Sequence, residues 1–191
     1  MINFSSSPII CHSARVFGSE YDVCVEAAQN RWANTKKGAY GKGMINSDSD
    51  PYRVERVGLV GEFAFAKLCG LSVDIGYKHG GDQYDFLLED GRTVDVKVAA
   101  KRYRYEAGLI YAQTGSGTDI PVKCDIYAFG FLEYDKPDAR MANAIFVGWC
   151  DKETVIHKPL VKAQTFKSNH KNKEIPYAEL RSMSELLDAD I

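Results

Sequence analysis

The sequence predicts an α/β protein in which a central mixed β-sheet is flanked by α-helices. A helical apolar pattern over 51–68 precedes two short runs that flank an Asp-Gly pair, and three aromatic or β-branched runs follow. Apolar residues at helical spacing predict helices, whereas short β-branched runs between turn residues predict strands. Both patterns occur in one chain of 191 residues, which is the size of a single domain.

Composition and charge narrow the class of protein. The chain is 45% hydrophobic and 26% charged, which is enough for a real core. Its formal net charge of -2 gives no global basic field, so local basic patches or metal ions would have to hold a polyanion. The five cysteines are widely spaced without a CxxC pair, so we expect reduced thiols and no iron-sulfur cluster.

No part of the sequence predicts a membrane or export segment. No stretch approaches the roughly 20 consecutive apolar residues that a membrane-spanning helix needs. The first residues also lack a basic opening followed by a long apolar run. We therefore expect a cytoplasmic protein, in the host cytoplasm if a phage encodes it, without a membrane partner.

The first helix is predicted over 19–36, where Ser19 precedes an acid three positions on and Val23, Ala27 and Trp32 follow helical spacing. The stretch 36–50 is rich in Gly, Ser, Asp and Lys without apolar periodicity, which predicts a loop. It is either a linker or a basic flap over a bound polyanion.

The second helix is predicted to begin with Asp50 as N-cap and Pro51 at its first position, and to end with Gly70 as C-cap. After it, 71–77 is a candidate short strand. Residues 84–100 read as two strands joined around Asp90-Gly91, which is a strong hairpin signal.

Further strands are predicted in the remainder of the chain, at 108–113, 124–132 and 144–150. Beyond them we predict a basic loop over 167–174 and a short helical or irregular tail over 177–191. The whole of 1–191 is taken as one domain, with an N-terminal helix and basic loop (1–49), a core (50–150) and a C-terminal extension (151–191).

The predicted hairpin carries most of the candidate catalytic residues. In the second strand, Asp95 and Lys97 alternate with valines, so a period of two puts the acid and the lysine on one face. The turn folds Asp85 of the first strand back toward Asp95. Two converging carboxylates suit Mg²⁺, which also accepts a backbone carbonyl, water and a phosphate oxygen. Lys97 could orient or deprotonate a water, or neutralise charge on phosphate oxygens.

Glu62 is a third candidate acid because it is the only charged residue in the helical stretch 57–66. An ionised carboxylate in apolar surroundings needs a metal ion or a cation as partner. Gly58 and Gly61 leave this helix with little bulk beside Glu62, which would let a strand or a phosphate backbone approach.

Together the segments GEFAFAKLCGL, GGDQYDF and VDVK resemble the PD-(D/E)XK nuclease superfamily, over residues 50 to about 150. The resemblance implies a restriction-endonuclease-like core, a Mg²⁺ or Mn²⁺ cofactor and hydrolysis of phosphodiester bonds in DNA. It implies that Asp85, Asp95 and the backbone of Val96 bind metal, that Glu62 completes or supports the metal shell, and that Lys97 serves the attacking water.

Residues near these positions allow more than one assignment. Tyr84 stands where the family has a proline before its first acid. Asp82 is a rival for that acid, or else a turn residue that caps a glycine loop. Gln113 resembles a glutamine that several of these nucleases place near metal or DNA. The basic residues after the hairpin are candidate DNA contacts, or a solvated strand edge: Lys101, Arg102 and Arg104.

The leading hypothesis is a deoxyribonuclease of the small kind found in phages and mobile elements. The alternative is a catalytically silent nucleic-acid-binding or assembly protein on the same fold. A third reading, a metal enzyme of unrelated chemistry, lacks a phosphate-binding loop or a nucleophile elbow. The sequence leaves open whether cuts are internal or terminal, the preferred DNA structure, the oligomeric state and the protein partners.

Overall fold

The structure is a computed structural model that describes residues 11–37, 50, 52–75, 83–100, 107–162 and 169–188. Its helices are α1 (Ser19–Lys37), α2 (Arg53–Cys69), α3 (Lys152–His157) and α4 (Met183–Leu187), with 3-10 turns at Pro137–Ala139 and Tyr177–Glu179. Its strands are β1 (His12–Phe17), β2 (Phe86–Leu87), β3 (Thr93–Ala99), β4 (Ala107–Gln113), β5 (Ile126–Lys136), β6 (Met141–Asp151), β7 (Leu160–Lys162) and β8 (Lys171–Pro176).

The protein has a mixed α/β fold with two sheets. The main sheet has the order β1-β6-β5-β3-β2, and the second sheet has the order β4-β8-β7. Strands β3 and β5 are parallel, whereas the other neighbouring strands are antiparallel. The predicted mixed sheet is therefore confirmed, but the strand predicted at 108–113 belongs to the second sheet.

Both long helices are confirmed, and one predicted cap is wrong. Gly70 ends α2 with φ 68°, as a C-cap glycine does. The N-cap of α2 is Tyr52 without a side-chain cap bond, rather than Asp50. The Asp50 carboxylate instead accepts two hydrogen bonds from the guanidinium of Arg56, at 3.0 and 2.7 Å. A buried guanidinium is a stronger partner for this carboxylate than a helix N–H is.

The predicted hairpin is confirmed at the Asp90-Gly91 turn. Phe86 and Leu87 pair with Val94 and Thr93, and Gly91 adopts φ 84°. The Asp90 carboxylate accepts a hydrogen bond from the Arg92 N–H at 2.9 Å, which closes the turn. The candidate strand over 71–77 is not a strand in its described part, 71–75.

Three strands are present that the sequence did not predict. β1 pairs with β6 at the edge of the main sheet, so this sheet extends beyond residues 50–150. β8 and β7 pair with each other, and β8 overlaps the second half of the predicted basic loop over 167–174. Residues 38–49 of the other predicted loop lie outside the described residues, as do Asp82, Lys101, Arg102 and Arg104.

Hydrophobic clusters cover both faces of the main sheet. One cluster joins α1 and α2 to the sheet and includes Val94 and Val96 of β3. The other includes Phe129 of β5 and packs against the second sheet through Ile110 of β4 and Ile175 of β8. None of the helices in the described ranges is long and apolar enough to span a membrane.

The two helical glycines beside Glu62 serve different purposes. A Cβ at Gly61 would lie 2.5 Å from Cγ2 and 2.7 Å from Cβ of Val98, whereas a Cβ at Gly58 would meet nothing within 4 Å. Gly61 therefore allows β3 to approach the helix, as the sequence suggested. Gly58 leaves open space.

We expect Gly61→Ala to be less stable than Gly58→Ala by about 1 to 3 kcal/mol, the usual cost of overpacking. Both substitutions gain the same helix propensity, so their difference isolates the contact with Val98. Urea unfolding of the two variants measures this difference. Equal stabilities would show that Val98 moves away at no cost.

Candidate active site

The candidate site is a cavity of about 330 Å³ at the edge of β3, where β2 no longer covers it. Residues of α2 that are four apart line one wall, namely Val54, Gly58 and Glu62. The other lining residues are Asp85, Asp95, Val96, Lys97, Val98, Ala99, Ala107, Gly108, Leu109, Phe129, Gly130 and Tyr177. The four predicted catalytic residues, Glu62, Asp85, Asp95 and Lys97, are thus brought to one cavity.

Asp85 continues the β2–β3 ladder with its side chain. Its backbone N–H donates to the carbonyl of Val94 at 2.9 Å, and its Oδ2 accepts from the N–H of Val96 at 2.7 Å. In an extended strand the N–H and C=O of one residue point to the same edge. The Val96 carbonyl is therefore directed toward the same edge as the Asp85 carboxylate.

Asp95 and Lys97 share the opposite face of β3 from Val94 and Val96, as the alternation predicted. The Nζ of Lys97 donates to Oδ1 of Asp95 at 2.5 Å, and 39% of the Lys97 side chain is exposed. Burial lowers the pKa of Lys97, but the charge and hydrogen bond of Asp95 and the charge of Asp85 outweigh burial and raise it. Lys97 is therefore a cation in this arrangement.

Glu62 reaches the cavity from α2 and is held by a residue of α1. Nη1 of Arg31 donates to Oε1 of Glu62 at 3.2 Å, and the two side chains are 22% and 12% exposed. This largely buried carboxylate thus has the cationic partner that its apolar helix called for.

Arg31 was not among the candidate residues, although the sequence holds a signal for it. Cys24, Ala27 and Ala28 form a buried stripe on α1, and Arg31 is the next position of that stripe. A cation that continues an apolar stripe needs a partner on the facing element, as a lone acid does.

Crowding of carboxylates defines the electrostatics of the cavity. Burial, followed by the charges of Glu62 and Asp95, raises the pKa of Asp85 to about 7. The hydrogen bond from Val96 and the charge of Lys97 act in the opposite direction and are weaker. The cavity therefore favours the addition of positive charge beside Asp85.

The donor set fits a hard cation that keeps part of its water shell. No group of three or more His, Cys, Asp or Glu side chains within the described ranges could hold a metal ion. Asp85, Asp95 and the Val96 carbonyl provide oxygen donors at one edge of β3. Mg²⁺ requires oxygen donors, and it retains several waters instead of a complete protein cage. These residues therefore fit Mg²⁺ or Mn²⁺ better than they fit zinc, which prefers nitrogen and sulfur.

The auxiliary candidate Gln113 does not join the other site residues. Its Nε2 donates to Oδ1 of Asp119 at 2.7 Å, and it is not among the residues that line the cavity. The pairing of β4 with β8 shifts in register between Tyr111 and Gln113, and Gln113 lies opposite Lys171 at the end of the strand.

The raised pKa of Asp85 predicts how stability depends on pH when divalent metal is removed with EDTA. A carboxyl whose folded-state pKa exceeds its usual 3.8 stabilises fully below 3.8, and this stabilisation is lost as the pH rises through about 7. We expect Asp85→Asn, which keeps a neutral acceptor for the Val96 N–H, to unfold at higher urea than wild type at about pH 8.

The wild type provides the comparison across the pH range. The advantage of Asp85→Asn should shrink toward about pH 4, where the wild-type carboxyl is protonated too. If Asp85→Asn were more stable than the wild type by the same amount at every pH, the pKa of Asp85 would not be raised in the folded protein.

Fold and site together define a mixed α/β protein with a carboxylate-lined cavity at the open edge of its sheet. No family model, no curated protein and no solved structure matches the chain. Its function is therefore argued from the cavity and from the sequence pattern.

Proposed function

We propose that the protein is a Mg²⁺- or Mn²⁺-dependent deoxyribonuclease of the PD-(D/E)XK class, with a restriction-endonuclease-like core and a cytoplasmic site of action. The observation that carries the proposal is the convergence of Glu62, Asp85, Asp95 and Lys97 on one cavity. The choice of DNA as substrate rests on the sequence resemblance.

Asp85, Asp95 and the Val96 carbonyl are the residues that would hold the cation. The Asp85 carboxylate and the Val96 carbonyl are directed at one edge of β3. Burial, followed by the charges of Glu62 and Asp95, raises the pKa of Asp85. When bound, the cation supplies an acidified water and neutralises charge on a phosphate oxygen. The bound cation would thus supply the positive charge that a phosphodiester needs in this cavity, although the protein carries a small net negative charge.

Lys97 and Glu62 have supporting roles. The raised pKa of Lys97 favours a role in which its positive charge stabilises the charge that develops on the phosphate. Glu62 lines the same cavity and adds negative charge near Asp85, which would help to hold the cation. Arg31 holds the Glu62 carboxylate through Oε1 and so positions it.

The decisive test is a gel assay of the purified protein on linear, circular, branched and single-stranded DNA, with Mg²⁺, with Mn²⁺ or with EDTA. We expect cleavage with either metal and none with EDTA. Cleavage of circular DNA would assign internal cuts. Cleavage that continues in EDTA would contradict the proposal.

The alternative function is nucleic-acid binding or assembly without catalysis. Two observations favour it: Lys97 is bound directly to Asp95, and the described residues contain no cluster of three metal-ligating side chains. Intact DNA in every metal condition, together with retained DNA binding, would support this alternative.

A further inference from the structure

The wall that α2 contributes to the cavity has a position without a side chain. Val54, Gly58 and Glu62 are four residues apart and line this wall. A Cβ at Gly58 would meet nothing within 4 Å, whereas a Cβ at Gly61 would overlap Val98. Packing inside the protein therefore does not require a glycine at position 58. Its effect is to leave room in the cavity, between the exposed apolar side chain of Val54 and the carboxylate of Glu62.

The acidic side chains of the cavity are largely buried. The side chain of Glu62 is 12% exposed and that of Asp95 is 20% exposed. A phosphate must therefore enter the cavity to meet a cation that these residues hold. The cavity volume of about 330 Å³ lies near the lower end of the range for ligand pockets, about 300 to 1,000 Å³. This volume suits a single nucleotide, and an intact duplex is too large to enter it.

The remainder of the cavity lining is mostly apolar. It includes Ala99 at the end of β3 and Ala107 and Leu109 of β4. Pockets for organic ligands are typically apolar, with a small number of polar groups that fix orientation. A sugar or a base therefore fits this lining while its phosphate faces the carboxylates.

The open edge of β3 adds a polar group to this lining. Val94 and Val96 direct their backbone groups toward the β2 edge, where both form hydrogen bonds with Asp85. By alternation, the N–H and C=O of Val98 point to the same edge. Pairing with β2 ends at Val94, and no backbone group in the described part of the chain bonds Val98 there. Val98 thus presents a donor beside an acceptor, as the polar edge of a nucleobase does.

We propose that the cavity is a binding pocket for one unpaired nucleotide of the DNA strand that is cut, and that Gly58 admits this nucleotide because it has no side chain. The sugar lies against α2 at Gly58, and the base lies against the apolar lining beside the peptide group of Val98. A base enters only when it is unpaired and unstacked, which costs least in a single strand or at a frayed end. The pocket therefore favours such substrates over an intact duplex. The choice of DNA rests on the proposed function, but binding does not require catalysis.

The test measures the binding of a short fluorescent oligo(dT) strand by anisotropy in Ca²⁺, which takes the same kind of oxygen donors as Mg²⁺. We expect the wild type to bind this strand at least about tenfold more tightly than a blunt duplex of the same length. Gly58→Leu should weaken single-strand binding about tenfold or more, because its side chain fills the space of the sugar. Its affinity for the duplex should change little.

Competition by small ligands tests whether the base itself enters the pocket. Thymidine monophosphate should displace the strand from the wild type. Deoxyribose phosphate, which lacks the base, should compete about tenfold less well, since it loses the apolar contacts and the hydrogen bonds to Val98. Equal competition by the two compounds would overturn the assignment of a base to this pocket.

Two measurements separate a filled pocket from a damaged protein. In urea, Gly58→Leu should be at least as stable as the wild type, because its Cβ meets no other atom and leucine has a higher helix propensity than glycine. Calorimetry should show that Gly58→Leu retains its affinity for Mg²⁺, since the substitution removes no oxygen donor. Ala33→Leu is the matched control, because it enlarges an exposed side chain of α1 and should bind DNA like the wild type.

The outcomes distinguish this pocket from the proposed function. Wild-type affinity in Gly58→Leu, equal binding of duplex and single strand, or no binding of either would overturn the pocket, even if the protein cleaves DNA. Single-strand binding that Gly58→Leu weakens would support the pocket, even if no DNA is cleaved in Mg²⁺ or Mn²⁺.

Discussion

Lys97→Ala is expected to reduce metal-dependent DNA cleavage by about 10²- to 10³-fold or more, the usual loss when one charge-stabilising group is removed. The raised pKa of Lys97 keeps the side chain positive, and no other cation lies beside Asp95 among the described cavity-lining residues. The measurement is the single-turnover cleavage rate in Mg²⁺, with metal affinity followed by calorimetry. Metal affinity should persist, because the carboxylates and the Val96 carbonyl remain.

Two further variants give this result its meaning. Asp95→Ala should lose both metal affinity and cleavage, since it removes an oxygen donor. Lys67→Ala is a matched control: its ammonium pairs with Glu20 at 2.6 Å and is 36% exposed, close to the 39% of Lys97, but it lies on the outer end of α2. Lys67→Ala should cleave at the wild-type rate. A wild-type rate in Lys97→Ala would rule out the proposed role of the lysine.

The parts of the fold that could be predicted are those that local chemistry determines. Gly70 ends α2 because only a residue tolerant of φ 68° fits there, and the Asp90-Gly91 turn fixes which residues of the hairpin pair. The same alternation that buries Val94 and Val96 brings Asp95 and Lys97 to one face. Each of these features depends on residues only a few positions apart.

The unpredicted strands depend on pairing between distant segments. β1 carries one fully buried residue, Val16, so its own pattern is weak, and pairing with β6 defines it. β8 carries two lysines and a glutamate among its six residues, which is typical of a loop. It is nevertheless a strand, because it lies between β4 and β7 and buries Ile175 against the main sheet.

The candidate site shows the same division. Glu62 could be predicted because a lone acid in an apolar helix needs a partner, but the identity of that partner could not. Arg31 lies 31 positions away on another helix, and only the packing of α1 against α2 brings the two together. Gln113 was predicted near the metal by resemblance, yet a local bond to Asp119 holds its amide outside the cavity lining.

The largest expected loss of stability comes from Arg56, which lies at the start of α2 and is only 3% exposed. Its guanidinium binds the carboxylate of Asp50 and that of Asp135 at the end of β5, with shortest distances of 2.7 and 2.8 Å. Tyr21 of α1 donates to the other oxygen of Asp135 at 2.6 Å. One cation thus links both long helices to the main sheet.

We expect Arg56→Met to destabilise the protein by about 3 to 5 kcal/mol, because it leaves two largely buried carboxylates without their cation. Methionine fills much of the same volume, so the loss reports charge and hydrogen bonding rather than a cavity. The measurement is urea unfolding at neutral pH. Arg140→Met is the control: Arg140 pairs with Asp22 at the surface, where the side chains are 57% and 49% exposed, and should cost less than about 1 kcal/mol.

The same variants test whether the ion pairs of Arg56 also determine the position of Glu62, which lies six residues further along α2. If Arg56 fixes the helix against β5, the folded fraction of Arg56→Met should bind Mg²⁺ more weakly, since Glu62 and the Val54 wall of the cavity shift with α2. Unchanged stability in Arg56→Met would contradict the network. A large loss of stability with unchanged metal affinity would confine Arg56 to a structural role and leave Arg31 as the residue that positions Glu62.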